Sequence, residues 1–166
     1  MTKRPTPLPN RLARYQAARN SGVVAAALQP VDESRSLFEV AWDVLSRTSE
    51  MGIADAAELE ERFIRRPAFS SAEAAGWVAG VLGGSLAYSS AADPLGDPKL
   101  RALETEVVTA LGPDAVWHAN GDHPLPAFRG GQGERGWSTV MQATFDLVVL
   151  ARGNGLDLVL ARTDED

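Results

Sequence analysis

The residues of this chain that could do chemistry are few and close together. His118-Ala119-Asn120-Gly121-Asp122-His123 holds both histidines of the protein with an amide and a carboxylate between them. Neutral imidazoles and a carboxylate converging on one ion make a transition-metal site. His118, Asp122 and His123 are therefore the candidate ligands, and a metal-dependent hydrolase is the enzyme they would serve. The spacing matches no helical motif such as His-Glu-x-x-His, and Asp-His-Pro reads equally well as turn chemistry. The expectation is a polar loop, with no metal and no cofactor. A serine nucleophile such as Ser138 would need one of the histidines as base and Asp122 or Asp146 as orienting acid, but no nucleophile elbow surrounds it. Gly130-Gly131-Gln132-Gly133-Glu134-Arg135-Gly136 has the composition of a phosphate cradle. It leads into Trp137 and a strand-like run rather than into a helix start with Lys-Ser/Thr, so it fails on context. No residue is assigned a catalytic role.

What remains is charge. The chain of 166 residues carries a formal −6, while residues 1–20 hold Lys3, Arg4, Arg11, Arg14 and Arg19 and no acid, a local +5 that leaves −11 for the remainder. An acidic body argues against nucleic-acid binding through the main surface, which would need clustered cations. It favours a basic protein partner, because complementary fields speed encounter. Glu134, Asp146, Asp157 and Asp164 are the candidate contacts, with Trp137 as an aromatic anchor beside a glycine-rich loop. The basic segment reads as a solvated tail or as a first helix pairing with the acidic body.

These groups need a scaffold, and composition permits one: 45% hydrophobic and 23% charged residues match a globular chain with a real core. Zero cysteines exclude disulfides, thiolate metal sites and cysteine nucleophiles. No apolar stretch follows Lys3 and Arg4, so no secretory signal is expected and the cytoplasm is the expected compartment. The uncharged stretch 74–92 is diluted by Gly76, Gly80, Gly83, Gly84 and Ser85, which suits a buried helix better than a membrane span of about 20 apolar residues.

Periodicity predicts one domain over 10–166 behind a flexible arm at 1–9, helical over 10–112 and β over 113–166. The expected helices are a short one over 10–19 capped by Asn10, one after Asp32, one from Asp55 to the region of Pro67, the glycine-rich one after the capping box Ser70-Ser71-Ala72-Glu73, and one opened by Asp97-Pro98 and closed by Gly112-Pro113. In the helix after Asp55, Leu59, Phe63 and Ile64 point inward and Glu58, Glu60 and Glu61 outward. Residues 23–28 are too short and too uniformly apolar for periodicity to decide between strand and helix. Gly76, Gly80 and Gly84 recur every four residues, a face for close packing within the chain or for a homo-oligomer. The β portion holds residues 115–118, a strand over 137–141, and two apolar runs joined by Gly153-Asn154-Gly155, a hairpin turn signal. The fold class is α+β: helices on an antiparallel sheet of about four strands that ends in a β-hairpin.

Residues 115–166, with Trp117, the glycine-rich loop, Gly136-Trp137-Ser138, Ala143-Thr144-Phe145-Asp146 and an Asp-Glu-Asp end, resemble a group of small uncharacterised bacterial proteins common in actinobacteria. In that group a Trp-Asn-Pro segment precedes Thr-Phe-Asp; here Ser138-Thr139 stands where Asn-Pro is expected. The resemblance implies an immunity-type or accessory binding protein and carries over no catalytic residue. The expected function is a non-enzymatic acidic protein-binding module, an immunity protein or inhibitor of a basic partner. A homo-oligomeric structural component and the metal-dependent hydrolase are the alternatives.

Overall fold

Two apolar runs near the C-terminus organise everything else. The computed structural model describes residues 4–19, 22–83, 96–123 and 136–164. In it β5 (Phe145–Gly153) and β6 (Leu156–Asp164) pair antiparallel over their whole length, from Phe145 opposite Asp164 to Gly153 opposite Leu156. Asn154 and Gly155 both take positive φ, 51° and 73°, in the two-residue turn that favours Asn-Gly. Further strands extend the sheet on both sides: β2 (Gly22–Pro30) and β1 (Ala17–Arg19) beyond β6, β4 (Val116–Ala119) and β3 (Phe69–Ser70) beyond β5. The antiparallel order is β1-β2-β6-β5-β4-β3.

Side chains alternate across this sheet, and each face is covered. Leu147, Val149, Ala151, Leu158 and Leu160 enter one core with α1 (Leu8–Ala13), α4 (Trp77–Gly83) and α5 (Pro98–Leu111). Val148, Leu150, Val159 and Ala161 enter a second core with α2 (Leu37–Thr48), α3 (Ala56–Ile64) and the segment carrying Val140 and Met141. The result is a helix–sheet–helix sandwich of the α+β class, with the central strands apolar on both faces. Among the described residues no helix is long and apolar enough to cross a membrane.

Several elements differ from the reading of the sequence. Ala17–Arg19, Gly22–Pro30 and Phe69–Ser70 lie within the stretch 10–112 assigned to the helical part, yet they are strands, which decides residues 23–28, left open between strand and helix. β2 reads as ambiguous because Ala25 and Ala27 face one core while Ala26 and Leu28 face the other, which erases the two-residue period. The first helix starts after Pro7 rather than Asn10 and ends by Ala13. Ser36, not Asp32, caps α2: its Oγ accepts from Glu39 N at 3.1 Å, and Glu39 returns the bond to Ser36 N. Asp32 instead closes a local turn on Ser34. The caps at Asp55 and Asp97 stand as expected.

Candidate functional site

Of the large hydrophobic side chains exposed among the described residues, Ile64 and Val116, the more exposed lies on α3. Asp55 opens this helix by accepting from Glu58 N at 2.9 Å, and Leu59 and Phe63 bury its inner face. Positions 57, 60, 61 and 64 share the opposite face at helical spacing. Glu60 and Glu61 are exposed there, and Ile64, expected to point inward, is 71% exposed. Among the described residues neither glutamate is paired with a cation, whereas Glu58 bonds Arg62 and Ala54 N, which hold its carboxyl below the usual range. The ridge joins an apolar knob to two carboxylates that no described cation pairs with. Around it, residues 31–66 carry nine acids against five arginines.

The carboxylates singled out beforehand fall elsewhere. Asp146 and Asp157 are both fully buried, so neither presents a carboxylate to a partner, and both hold the structure together instead. Asp146 Oδ2 accepts from Val140 N and Met141 N, each at 2.7 Å, and its Oδ1 from Asn120 Nδ2 at 2.8 Å. Asn120 Oδ1 accepts from Val148 N, and Nδ2 also donates to Ser138 O. This network straps residues 138–141 across the α2–α3 core. Residues 137–141, expected to form a strand, therefore make only isolated bridges, Trp137 with Gly121 and Met141 with Met51: the Val140 and Met141 amides go to the Asp146 carboxylate, while Ser138 N donates to Asn120 O at 2.7 Å.

Asp157 accepts from Arg152 Nε at 2.6 Å and Nη2 at 2.8 Å, while Arg152 Nη1 donates to Arg35 O. The carboxylate raises the Arg152 pKa, and the pair ties the hairpin to the entry of α2. Asp164 is half-buried, 3.8 Å from Arg162. Trp137 is half-buried with its ring 5.4 Å from Phe145. Glu134 lies outside the described residues.

The sheet separates the two imidazoles. His118 sits on the α2–α3 side, 5.4 Å from the Phe38 ring and 6.4 Å from Phe63; burial lowers its pKa, against a smaller opposing effect of Glu60. His123 is on the other side, 4.7 Å from the Trp77 ring, with Nε2 2.8 Å from Ala75 O. Asp122 accepts from Arg66 Nη1 at 2.5 Å and Gly136 N at 2.8 Å. The candidate triad does not converge, and among the described residues no three His, Asp or Glu side chains are grouped to hold a metal ion.

Comparisons with protein-family models, with curated proteins and with solved structures found no match. The case for function therefore rests on surface and charge. The glycine face proposed for a homo-oligomer is not on the surface: from Trp77 through Leu82 every residue of α4 is buried, and Gly76, at φ 87°, precedes the helix. Gly84 lies outside the described residues. The Glu104 carboxylate, buried on α5, accepts from Gly76 N at 2.7 Å and Ala79 N at 2.9 Å, satisfying the free amides at the start of α4. The basic N-terminal segment lies across the sheet from α3; Arg11 pairs with Glu106 on α5, and Arg14 and Lys99 line cavities beside it.

Proposed function

We propose that this protein is a non-enzymatic binding module that docks a basic protein partner on the α3 ridge, in the manner of an immunity protein or an inhibitor of a cationic target. The observation that carries this reading is the ridge of Glu60, Glu61 and Ile64, where an exposed aliphatic side chain is flanked by carboxylates that no described cation neutralises. An apolar centre with a charged rim is the usual anatomy of a protein interface. The negative field of residues 31–66 would speed encounter and make it sensitive to salt. Contacts move accordingly from the carboxylates of the hairpin to those of the helix.

Affinity capture from the native host, with the wild-type chain and with Glu60→Lys/Glu61→Lys as paired baits, tests the reading. A basic protein retained at low salt, released at high salt and missed by the charge-reversed bait is the expected outcome. Capture that is indifferent to salt, or equal on both baits, overturns it. Ile64→Ala separates the apolar contribution, because it leaves the charge unchanged and opens no cavity at an exposed position, and it should weaken capture without lowering the melting temperature.

A further inference from the structure

On the opposite side of the sheet two cavities meet. One, of about 420 Å³, lies where the end of α1 and the start of β1 face β6; Gln16, Leu82, Arg162 and Thr163 are among its walls. The other, of about 400 Å³, lies between α1 and the first turn of α5, with Arg11, Lys99 and Leu103 around it. Arg14 and Tyr15 belong to both. Each volume is in the range of small-molecule sites.

The lining has the opposite sign to the protein. Its described residues include four cations, Arg11, Arg14, Lys99 and Arg162, and one carboxylate, Asp164, in a chain of formal charge −6. Two of those cations are already committed. Arg11 pairs with Glu106, and Arg162 donates to Val81 O at 2.6 Å and Leu82 O at 2.9 Å. Arg14 and Lys99 are not: among the described residues neither has a carboxylate within ion-pair distance, and the one side-chain bond of Arg14 is to Thr6 Oγ1 at 3.3 Å. A cationic rim over buried Leu103 and Leu82 is suited to an anion carried on a partly apolar body.

The two chambers differ in chemistry, and the difference narrows the ligand. The α5 chamber offers charge, in Lys99 and Arg14, and suits a phosphate group. The β6 chamber offers neutral hydrogen bonding: the Gln16 amide both donates and accepts, and Thr163 Oγ1, which accepts from Val23 N at 2.8 Å, still has its proton to donate. Between them the half-buried Tyr15 presents a flat aromatic wall. We propose that this double groove binds a nucleoside polyphosphate, with its phosphates between Arg14 and Lys99 and its planar base against Tyr15. The site lies across the sheet from the α3 ridge and does not depend on the protein-docking reading.

Titration calorimetry of the full chain with ATP, inorganic pyrophosphate and adenosine tests the proposal. ATP should saturate one site per chain, pyrophosphate should bind more weakly, and adenosine should give no saturable heat. Arg14→Glu and Lys99→Glu, both at exposed positions, should each weaken ATP about tenfold or more, a loss of about 1.4 kcal/mol, while Arg65→Glu, just past the end of α3, leaves it unchanged. Matching melting temperatures exclude unfolding as the cause. No saturable ATP binding at millimolar concentration, binding that all three variants retain equally, or saturation by single-stranded RNA alone would overturn the proposal.

Discussion

Asp146 fastens the segment that carries Val140 and Met141 to the sheet. A carboxylate removed from water is tolerated only when its acceptor sites are filled, and here two backbone amides and an asparagine amide fill them. Asp146→Ala leaves those donors buried and unpaired, at about 1–3 kcal/mol each. A loss of more than about 3 kcal/mol in urea unfolding is expected, with faster hydrogen exchange at Val140 and Met141; unchanged exchange there would refute the strap. His118 supplies a second test at this scale. Burial holds its folded pKa below the ordinary 6.5, so between those two values the unfolded chain binds more protons than the folded one. Stability must then rise with pH through that window and fall as the pH drops below about 6.5, by at most about 1.4 kcal/mol per pH unit for one proton. His118→Phe keeps the packing between Phe38 and Phe63 and should flatten the slope of melting temperature against pH between 5 and 7. An identical slope in both proteins would refute the assignment to His118. The carboxylates whose pKa values are lowered, Asp32, Glu58, Glu73 and Glu106, titrate below the pH 5–7 range of that measurement.

At the scale of the element, the hairpin shows how two glycines in one turn do different work. Gly155 needs its positive φ of 73° but has open space where a Cβ would go. Gly153 has room in φ but not in space: a Cβ there would sit 2.4 Å from Leu111 O and 2.5 Å from Ala115 Cβ, where the end of α5 crosses the strand. Gly155→Ala should therefore cost about 1–2 kcal/mol from backbone strain alone. Gly153→Ala should cost more, because the end of α5 must move. Thermal unfolding of the two variants checks the order, and a milder Gly153→Ala would show that α5 gives way easily. The turn was legible because Asn-Gly is a local requirement, as were the caps at Asp55 and Asp97. What escaped the sequence is set by distant partners. The amides of Val140 and Met141 go to a carboxylate rather than to a ladder, Ser36 outcompetes Asp32 as a cap, and β2 is hidden by burial on both faces. The same reason hid the candidate ridge: Ile64 follows Phe63 and reads as core until the helix is seen to end beside it.

For the whole molecule, the sheet divides charge as well as core. Acidic α2 and α3 lie on one face; the cations of α1 and the start of α5 lie on the other. Net charge was readable from composition, but its separation required knowing which helices cover which face. The two cores also share strands: β5 and β6 contribute alternate residues to both, and β2, formed by residues 22–30, finds its long partner only in residues 156–164. On the ribosome, neither half can therefore close before the final hairpin emerges. Until then β2 has β1 on one edge and no partner on the other, an open edge that invites wrong pairing.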